Sequence, residues 1–118
     1  MVTLTLRRDA EGNIVAFTLT GHAGFGEYPH DPVCAGASAI AQTAIGSLQD
    51  IAGLTDVAYT LERGLISCEL PQEMTEKQEQ IAQVLMEALR IGCLQISFSY
   101  GKRYLSVKDS ENNGGAQA

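Results

Sequence analysis

The amino-acid sequence predicts an α+β fold, with about five strands in an antiparallel or mixed sheet and two helices packed on one face. Two kinds of periodicity support this prediction. Five short segments are rich in strand-forming residues or alternate apolar with polar side chains, and two longer segments repeat apolar residues every three or four positions. The segments follow one another in the order ββαββαβ. Short turns between successive strands indicate hairpins, whose strands are antiparallel.

The first two strands form an opening hairpin. Residues 3–6 and 14–20 alternate apolar with polar side chains, as half-buried strands do. Residues 9–13 lie between them and include Asp9, Gly12 and Asn13, which are turn-forming residue types. The chain is therefore expected to begin with two antiparallel strands.

The first helix is predicted over residues 33–53. Its apolar stripe consists of Val33, Ala37, Ile40, Ala44, Leu48 and Ile51. Gly53 stands where a helix commonly ends, because glycine adopts the left-handed conformation of a C-terminal cap without steric cost. A second hairpin follows, with strands over residues 57–61 and 65–70 around a turn at residues 62–64.

The second helix is predicted to begin near Thr75. Its hydroxyl can cap the helix, and Gln78 three positions later is placed to complete a capping box. The apolar stripe includes Ile81, Leu85, Ala88 and Leu89. This helix runs towards Ser97, and residues 102–107 form the last predicted strand. The sheet face without helices is expected to be solvated or to pair with a second copy of the chain.

Length and composition indicate one globular domain. The chain has 118 residues, enough to bury a core without disulfide bonds or metals, and 45% of its residues are apolar, which argues against disorder. We expect a single domain over residues 1–108 and a disordered tail over residues 109–118.

Several function classes are disfavoured by charge and residue usage. The N-terminal segment is too short and too polar for a signal peptide, and we find no apolar run of the roughly 18 residues that a membrane span needs. Cys34, Cys68 and Cys93 form no close pair, which favours free thiols in a reducing compartment and argues against zinc. A net charge of −6 argues against nucleic-acid binding, which needs a basic surface. We expect a cytoplasmic protein without nucleic-acid, metal or membrane partners.

His22 and Cys34 bracket the least regular stretch of the chain. His22 follows the second strand, and Cys34 falls in the first helical turn if Asp31 is the N-cap and Pro32 the first helical residue. Unpaired N–H groups and the positive end of the helix dipole favour an anion there, and so favour a thiolate. A thiolate with an imidazole nearby has the parts of a cysteine nucleophile and its base.

Structural roles are the alternative for each of these residues. A lone cysteine is often a small buried apolar residue, and His22 can be a hydrogen-bonded loop residue. The small residues 35–39 either let a peptide approach the thiol or only allow tight packing of the helix on the sheet. Asp31 can cap the helix or orient His22, and His30 is a second base, a substrate contact or a bystander.

Two segments of the chain resemble the signature of the ribosomal-processing cysteine protease Prp family. They are Gly21-His22-Ala23-Gly24 and Asp31-Pro32-Val33-Cys34-Ala35-Gly36-Ala37-Ser38. The resemblance covers nearly the whole chain, in length and in element order. It implies a homodimeric cysteine endopeptidase that needs no cofactor and removes a short N-terminal extension from a large-subunit ribosomal protein.

The resemblance also implies roles for individual residues. Cys34 would be the nucleophile, His22 the general base and proton donor, and Asp31 a further member of the catalytic site.

Substrate contacts are expected at Gly24, Ala35 and Ser38. Backbone N–H groups near Ala35 would bind the oxyanion of the reacting carbonyl group. We expect the loop over residues 22–32 to close over the substrate as a lid.

Three positions depart from the usual family pattern. Pro32 replaces an aliphatic residue, Gly36 replaces alanine, and His30 replaces glycine or a small polar residue. These departures bear on loop stiffness and peptide preference rather than on the type of reaction. The alternative function is a non-catalytic, ribosome-associated interaction module, for which three slowly reacting thiols are expected.

Overall fold

Five strands and two helices make up the fold, in the order that the sequence predicts. The computed structural model describes residues 1–27 and 30–110. Its elements are β1 (Val2–Arg8), β2 (Ile14–Thr20), α1 (Pro32–Asp50), β3 (Ala58–Glu62), β4 (Leu65–Glu69), α2 (Glu76–Tyr100) and β5 (Leu105–Ser110). The predicted α+β class and the ββαββαβ order are confirmed.

The strands form one mixed sheet in the order β3-β4-β2-β1-β5. The pairs β1–β2, β2–β4 and β3–β4 are antiparallel, whereas β5 runs parallel to β1. Parallel strands need a long crossover, and α2 carries the chain from β4 to the far edge of the sheet. Thr20 at the end of β2 lies opposite Leu65 at the start of β4. The loop that follows β2 therefore starts beside the β3–β4 turn.

Alternate side chains of the sheet form the core together with the two helices. The buried sheet residues include Val2, Leu4, Leu6, Phe17, Leu19, Ile66, Cys68 and Leu105. The helices bury Val33, Ala37, Ala41, Leu48, Ala82, Met86, Leu89 and Cys93 against them. The opposite sheet face carries Thr3, Thr5, Thr18, Thr20 and Ser67, which are partly or fully exposed. These polar side chains are suited to contact with water.

The helix boundaries differ slightly from the prediction. α1 ends at Asp50, three residues before Gly53. Gly53 has a φ of +73°, and the N–H of Leu54 after it donates to the carbonyl of Leu48 at 3.1 Å, so the glycine lies in the turn that closes the helix. α2 begins after Thr75 with the predicted capping box, and it continues past Ser97 to Tyr100.

The last strand lies further along the chain than predicted. Residues 102–104 form a turn after α2, in which the N–H of Tyr104 donates to the carbonyl of Gly101 at 3.0 Å. β5 then pairs in parallel with β1, and this pairing includes Asp109 opposite Leu6 and extends to Ser110. The two residues at 109 and 110 therefore belong to the sheet and not to the tail. Residues 111–118 of the predicted tail lie outside the described residues.

α2 is long and apolar enough, by length and composition, to cross a membrane. This corrects our expectation that no segment meets that criterion. The expectation counted uninterrupted apolar residues, whereas a spanning helix needs only a predominantly apolar sequence. The core helix of a globular fold passes the same test, and α2 buries Ala82, Met86, Leu89 and Cys93.

Arg8 links β1 to both α2 and β5. A register shift separates it from Arg7, and its guanidinium donates to both carboxylate oxygens of Asp109, at 2.7 and 2.9 Å. It also donates to Glu87 at 3.0 Å, which in turn accepts from Arg90 at 2.6 Å. The Arg8 side chain is only 11% exposed, whereas that of Arg7 is 57% exposed. This ion-pair cluster therefore joins three elements at one end of the sheet.

Candidate active site

A cleft of about 330 Å³ opens between α1 and the β3–β4 hairpin. Its lining residues are Val2, Leu19, Gly21, His22, Cys34, Ala37, Ser38, Gln42, Leu61, Glu62, Arg63, Gly64, Leu65 and Ile66. The structure thus brings the predicted pair His22 and Cys34 into one cleft, together with the predicted contact residue Ser38.

His22 enters the cleft from the end of β2. Its backbone carbonyl accepts a hydrogen bond from the N-terminal ammonium group of Met1 at 2.6 Å. Its imidazole lies against the hairpin turn, since a side chain built at Gly64 would place its Cβ 3.4 Å from Nε2 of His22. Both the N-terminus and the hairpin therefore help to fix the position of the histidine.

Cys34 lies in the first turn of α1 and is half-buried. Its Sγ accepts a hydrogen bond from the backbone N–H of Ala23 at 3.1 Å. An N–H donor binds a thiolate more strongly than a neutral thiol, because hydrogen bonds to ionised groups are stronger. Ala23 is itself buried, so this donor reaches the sulfur from a packed position. The sequence reasoning did not find this contact.

Asp31 is buried and caps α1. Its Oδ1 accepts from the N–H groups of Val33 and Cys34 at 2.9 and 3.2 Å, and its Oδ2 accepts from those of Phe25 and Gly26 at 2.9 and 3.0 Å. Burial favours the neutral acid, but these four hydrogen bonds outweigh burial and hold the pKa of the carboxyl below its usual value.

The partners of Asp31 define what this carboxylate does in the structure. The two donors in α1 make it the predicted N-cap. The two donors in the loop make it a clasp between the loop and the helix, which was not predicted. In the described part of the chain, the four hydrogen bonds of this side chain all come from backbone N–H groups. Orientation of His22 by Asp31 stays a prediction.

Two of the expected substrate contacts, Ala35 and Gly24, lie outside the described lining of the cleft. The N–H of Ala35 donates to the carbonyl of Asp31 at 3.0 Å, so in this conformation it is not available to an oxyanion. The reason is the regular hydrogen bonding of the first helical turn, which engages this group once Asp31 is the N-cap. Neither Ala35 nor Gly24 is among the described residues that line the cleft. His30 is exposed and is also not one of them.

Sequence reasoning missed two parts of the cleft wall. Gln42 follows Ser38 and Cys34 at intervals of four residues, so the three share one face of α1, and this spacing could have revealed it. Leu61, which is 49% exposed, and Gly64 belong to the hairpin on the other side of the cleft. No local signal marks the hairpin residues, because only the sheet order places them there.

The other two cysteines are part of the core. Cys68 on β4 and Cys93 on α2 are buried, and all three cysteines are free thiols. Burial raises the pKa of Cys68 to about 12, with a smaller contribution from Glu69, and burial raises that of Cys93 to about 11. Within residues 1–27 and 30–110, no three His, Cys, Asp or Glu side chains are grouped so that they could hold a metal ion.

Comparison with known proteins gives consistent results. The family model "Cysteine protease Prp" matches residues 1–105. The ribosomal processing cysteine protease Prp of Bacillus subtilis is 32% identical over 103 residues, which cover 85% of this chain and 90% of the relative. The protein of the same name from Staphylococcus aureus is 33% identical over 94 residues, covering 76% and 86%.

Solved structures agree with this result. A crystal structure of the essential ribosomal processing protease Prp from S. aureus, with a covalently linked product peptide, superposes with a TM-score of 0.72 at 25% identity. The match covers 92% of this chain and 99% of that one. A crystal structure of a Streptococcus mutans protein gives a TM-score of 0.75 at 28% identity, covering 92% and 93%.

Proposed function

The chain belongs to the cysteine protease Prp family, and on this premise we propose that the cleft containing His22 and Cys34 is its active site. One observation carries the proposal. The imidazole and the thiol line the same cleft, and a backbone N–H already donates to the sulfur. These are the requirements of a thiolate nucleophile with a neighbouring base.

Peptide hydrolysis would proceed through an acyl-enzyme. His22 takes the proton of the Cys34 thiol, and Sγ attacks the scissile carbonyl carbon. His22 then gives this proton to the leaving amine as the C–N bond breaks, which leaves a thioester. Water, deprotonated by His22, attacks the thioester, and the thiol regains a proton as the acid product leaves.

For the oxyanion we propose a donor other than the expected N–H groups near Ala35. Because the N–H of Ala35 is engaged within α1, we assign this role to the N–H of Ala23, which lies 3.1 Å from Sγ. The oxyanion forms on the carbon bound to Sγ, so a donor that contacts the sulfur from the side of that oxygen lies within reach of it. The same N–H would thus serve the thiolate and then the oxyanion.

Asp31 would act as a positioning residue in this mechanism. Its carboxylate joins the first turn of α1, which carries Cys34, to the loop at Phe25 and Gly26. Ser38 would contact the peptide in the cleft. Gly24, which lies in the loop outside the cleft lining, would reach the peptide only if the loop closes as a lid.

The proposed substrate is the N-terminal extension of a large-subunit ribosomal protein. Support comes from the relatives, whose names describe ribosomal processing proteases, and from a crystallised relative that holds a product peptide. The net charge of −6 favours encounter with a basic ribosomal protein. We propose that the enzyme acts on this substrate in the cytoplasm, and the same negative charge argues against a nucleic-acid partner.

The decisive test is cleavage of the extended ribosomal protein, followed by mass spectrometry of the products. Wild-type protein should remove the extension at one position, whereas Cys34→Ala and His22→Ala should not. Cys68→Ala, which changes a buried thiol outside the cleft, is the matched control and should keep activity. Full activity of Cys34→Ala would refute the mechanism.

A homodimer is the proposed oligomeric state. The open sheet face is polar, but α2 exposes Val84, Ile91 and Phe98 at seven-residue intervals, and the Phe98 side chain is 95% exposed. Residues at this spacing share one face of a helix, and a second copy could bury them. Light scattering should give twice the chain mass for wild type and a lower mass for Phe98→Glu. A monomeric wild-type protein would contradict this proposal.

A further inference from the structure

Phe25 occupies a cradle formed by two tyrosines. Its ring centroid lies 5.0 Å from that of Tyr100 at the end of α2 and 4.9 Å from that of Tyr104 before β5, both in edge-to-face geometry. Aromatic pairs favour this arrangement because the positive edge of one ring meets the negative face of the other. The guanidinium of Arg103 lies 4.9 Å from the centre of the Tyr104 ring and donates to its hydroxyl at 2.8 Å. The two tyrosines and Arg103 thus belong to the end of α2 and the turn after it, and not to the loop that carries Phe25.

This ring anchors its part of the loop through its contacts with the two tyrosines. Phe25 stands between Gly24 and Gly26, which have no side chains to restrain the backbone. Gly24 has a φ of +74°, and a Cβ built on it would meet no atom within 4 Å. A Cβ built on Gly26 would instead stand 3.3 Å from the carbonyl oxygen of His30, so this side of the segment packs closely on the chain before α1. The backbone before Phe25, on the side of Ala23, is therefore free to move unless the ring and the bonds to Asp31 hold it.

The anchored segment leads directly to the nucleophile. Two residues before Phe25, the N–H of Ala23 donates to Cys34 Sγ at 3.1 Å. The N–H of Phe25 itself donates to Oδ2 of Asp31, whose Oδ1 caps the helix turn that carries Cys34. A displacement of Phe25 would therefore disturb both the hydrogen bond from Ala23 to Cys34 Sγ and the hydrogen bond from Phe25 to Asp31.

We propose that Phe25 is a positioning residue, whose seat between Tyr100 and Tyr104 holds the Ala23 N–H against the sulfur of Cys34. The proposal rests on the proposed function, in which Cys34 is the nucleophile. The rings of Phe25, Tyr100 and Tyr104 do not belong to the described lining of the cleft. Its effect is therefore on the chemical step rather than on binding of the peptide.

The test compares Phe25→Ala with the conservative variant Phe25→Tyr, which keeps an aromatic ring. For Phe25→Ala, we expect kcat to fall at least about tenfold and KM to change less than about twofold. The expected fall is smaller than that caused by complete loss of an oxyanion donor, because the Ala23 N–H is displaced and not removed. The rate of iodoacetamide alkylation at Cys34 should fall in parallel. Phe25→Tyr should restore both rates to near those of wild type.

Two further variants separate positioning from general loss of structure. Tyr100→Leu removes one ring of the cradle from outside the loop and should lower kcat and alkylation in the same direction. Tyr59→Ala removes an aromatic side chain of similar exposure, 49% against 44% for Phe25, and should leave both rates unchanged. Thermal unfolding of each variant reports whether it is folded.

The outcomes distinguish failure of this proposal from failure of the proposed function. If Cys34→Ala is inactive but Phe25→Ala keeps wild-type kcat and alkylation, the cradle proposal is overturned and the protease mechanism stands. An equal loss in Tyr59→Ala, or no recovery in Phe25→Tyr, also overturns the proposal. If Cys34→Ala is fully active, the proposed function fails and the cradle proposal fails with it.

Discussion

Gly64 lies directly against the imidazole of His22. A Cβ built at Gly64 would stand 3.4 Å from Nε2 and 3.8 Å from Cε1 of the histidine. The backbone N–H of Gly21, next to His22, also donates to the carbonyl of Gly64 at 3.1 Å. The β3–β4 turn thus contacts the imidazole of His22 and also holds the backbone next to it, at Gly21.

A methyl group at Gly64 should lower activity by more than its effect on stability explains. Gly64 has a φ of +81°, which strains any other residue, and the new Cβ would be in van der Waals contact with the His22 ring, so a shift of the turn that relieves the strain would also displace the histidine. We expect Gly64→Ala to lose about 1 kcal/mol of unfolding free energy. Its kcat should fall at least about tenfold if His22 is the general base that we propose, because small displacements of such a group are costly. Denaturant titration and peptide cleavage assays measure the two effects.

Gly12 provides the matched control for this substitution. It has a similar φ of +88°, but a Cβ built there would meet nothing within 4 Å. Gly12→Ala should therefore lose a similar amount of stability and keep wild-type kcat. Equal kcat in the two variants would show that contact with His22 at Gly64 is unimportant.

Arg8 should contribute much more to stability than its neighbour Arg7. Replacing Arg8 by methionine removes hydrogen bonds to two carboxylates from a mostly buried side chain and should cost about 2 kcal/mol. Arg7 makes one ion pair, to Glu69 at 2.8 Å, between exposed side chains, so Arg7→Met should cost less than about 1 kcal/mol. Urea titrations of both variants test this, and equal losses would contradict it.

Acid should weaken the Arg8 cluster. The hydrogen bond from Arg8 holds the pKa of Asp109 below its usual value of 3.8. Burial raises the pKa of Glu87, but hydrogen bonds from Arg90 and Arg8 outweigh this effect and hold the pKa below 4.5. Groups with depressed folded-state pKa values stabilise the fold above their unfolded pKa and lose this contribution as pH falls. The stability difference between wild type and Arg8→Met should therefore be full above pH 4.5 and shrink below it.

Asp31→Asn should separate capping of α1 from clasping of the loop. The amide keeps one oxygen, which can still accept from Val33 and Cys34, but its NH₂ group cannot accept from Phe25 and Gly26. We expect a loss of about 1–3 kcal/mol, faster hydrogen exchange at the Phe25 and Gly26 amides, and lower kcat. Unchanged exchange at these two amides would contradict the clasp.

The cap of α2 is the control for Asp31. The Thr75 hydroxyl accepts from the N–H of Gln78 at 3.1 Å and lies outside the described lining of the cleft. Thr75→Ala should cost about 1 kcal/mol, as loss of a helix cap does, with kcat unchanged.

The three cysteines should differ in their reaction with iodoacetamide. At pH 8 the buried thiols Cys68 and Cys93 stay neutral, since their pKa values are about 12 and about 11, and a neutral thiol is a poor nucleophile. Cys34 in the cleft should therefore be alkylated first in the native protein. Peptide mapping measures the three rates, and unfolded protein, in which the rates should converge, is the control. Equal native rates would contradict the assignment.

Much of the fold could be predicted from local sequence patterns. The alternation in residues 14–20 predicts β2 with its observed bounds, and Thr75 with Gln78 predicts the capping box of α2. The end of α2 and the position of β5 were predicted less well. They depend on the turn at Tyr104 and on parallel pairing with β1, and neither has a local signature.

Some features of the candidate site could likewise be predicted from local sequence, and others could not. Asp31, Pro32 and Cys34 could be placed at the start of α1, because capping and the first helical turn are local properties. The clasp from Asp31 to the loop and the N–H of Ala23 on Cys34 Sγ could not be foreseen. Both depend on the path of a glycine-rich loop, which has few intrinsic conformational preferences.

The sequence by itself determined the elements, their order, the N-terminal caps of the helices and the pair of residues, His22 and Cys34, to which we assign the proposed chemistry. Only the tertiary structure decided which side chains surround that pair: Gly64 against the histidine, Ala23 on the sulfur, and Phe25 between two tyrosines. The physical reason is the range of the interactions. Periodicity and capping act within a few residues, whereas sheet order and loop packing join segments that are distant in the chain.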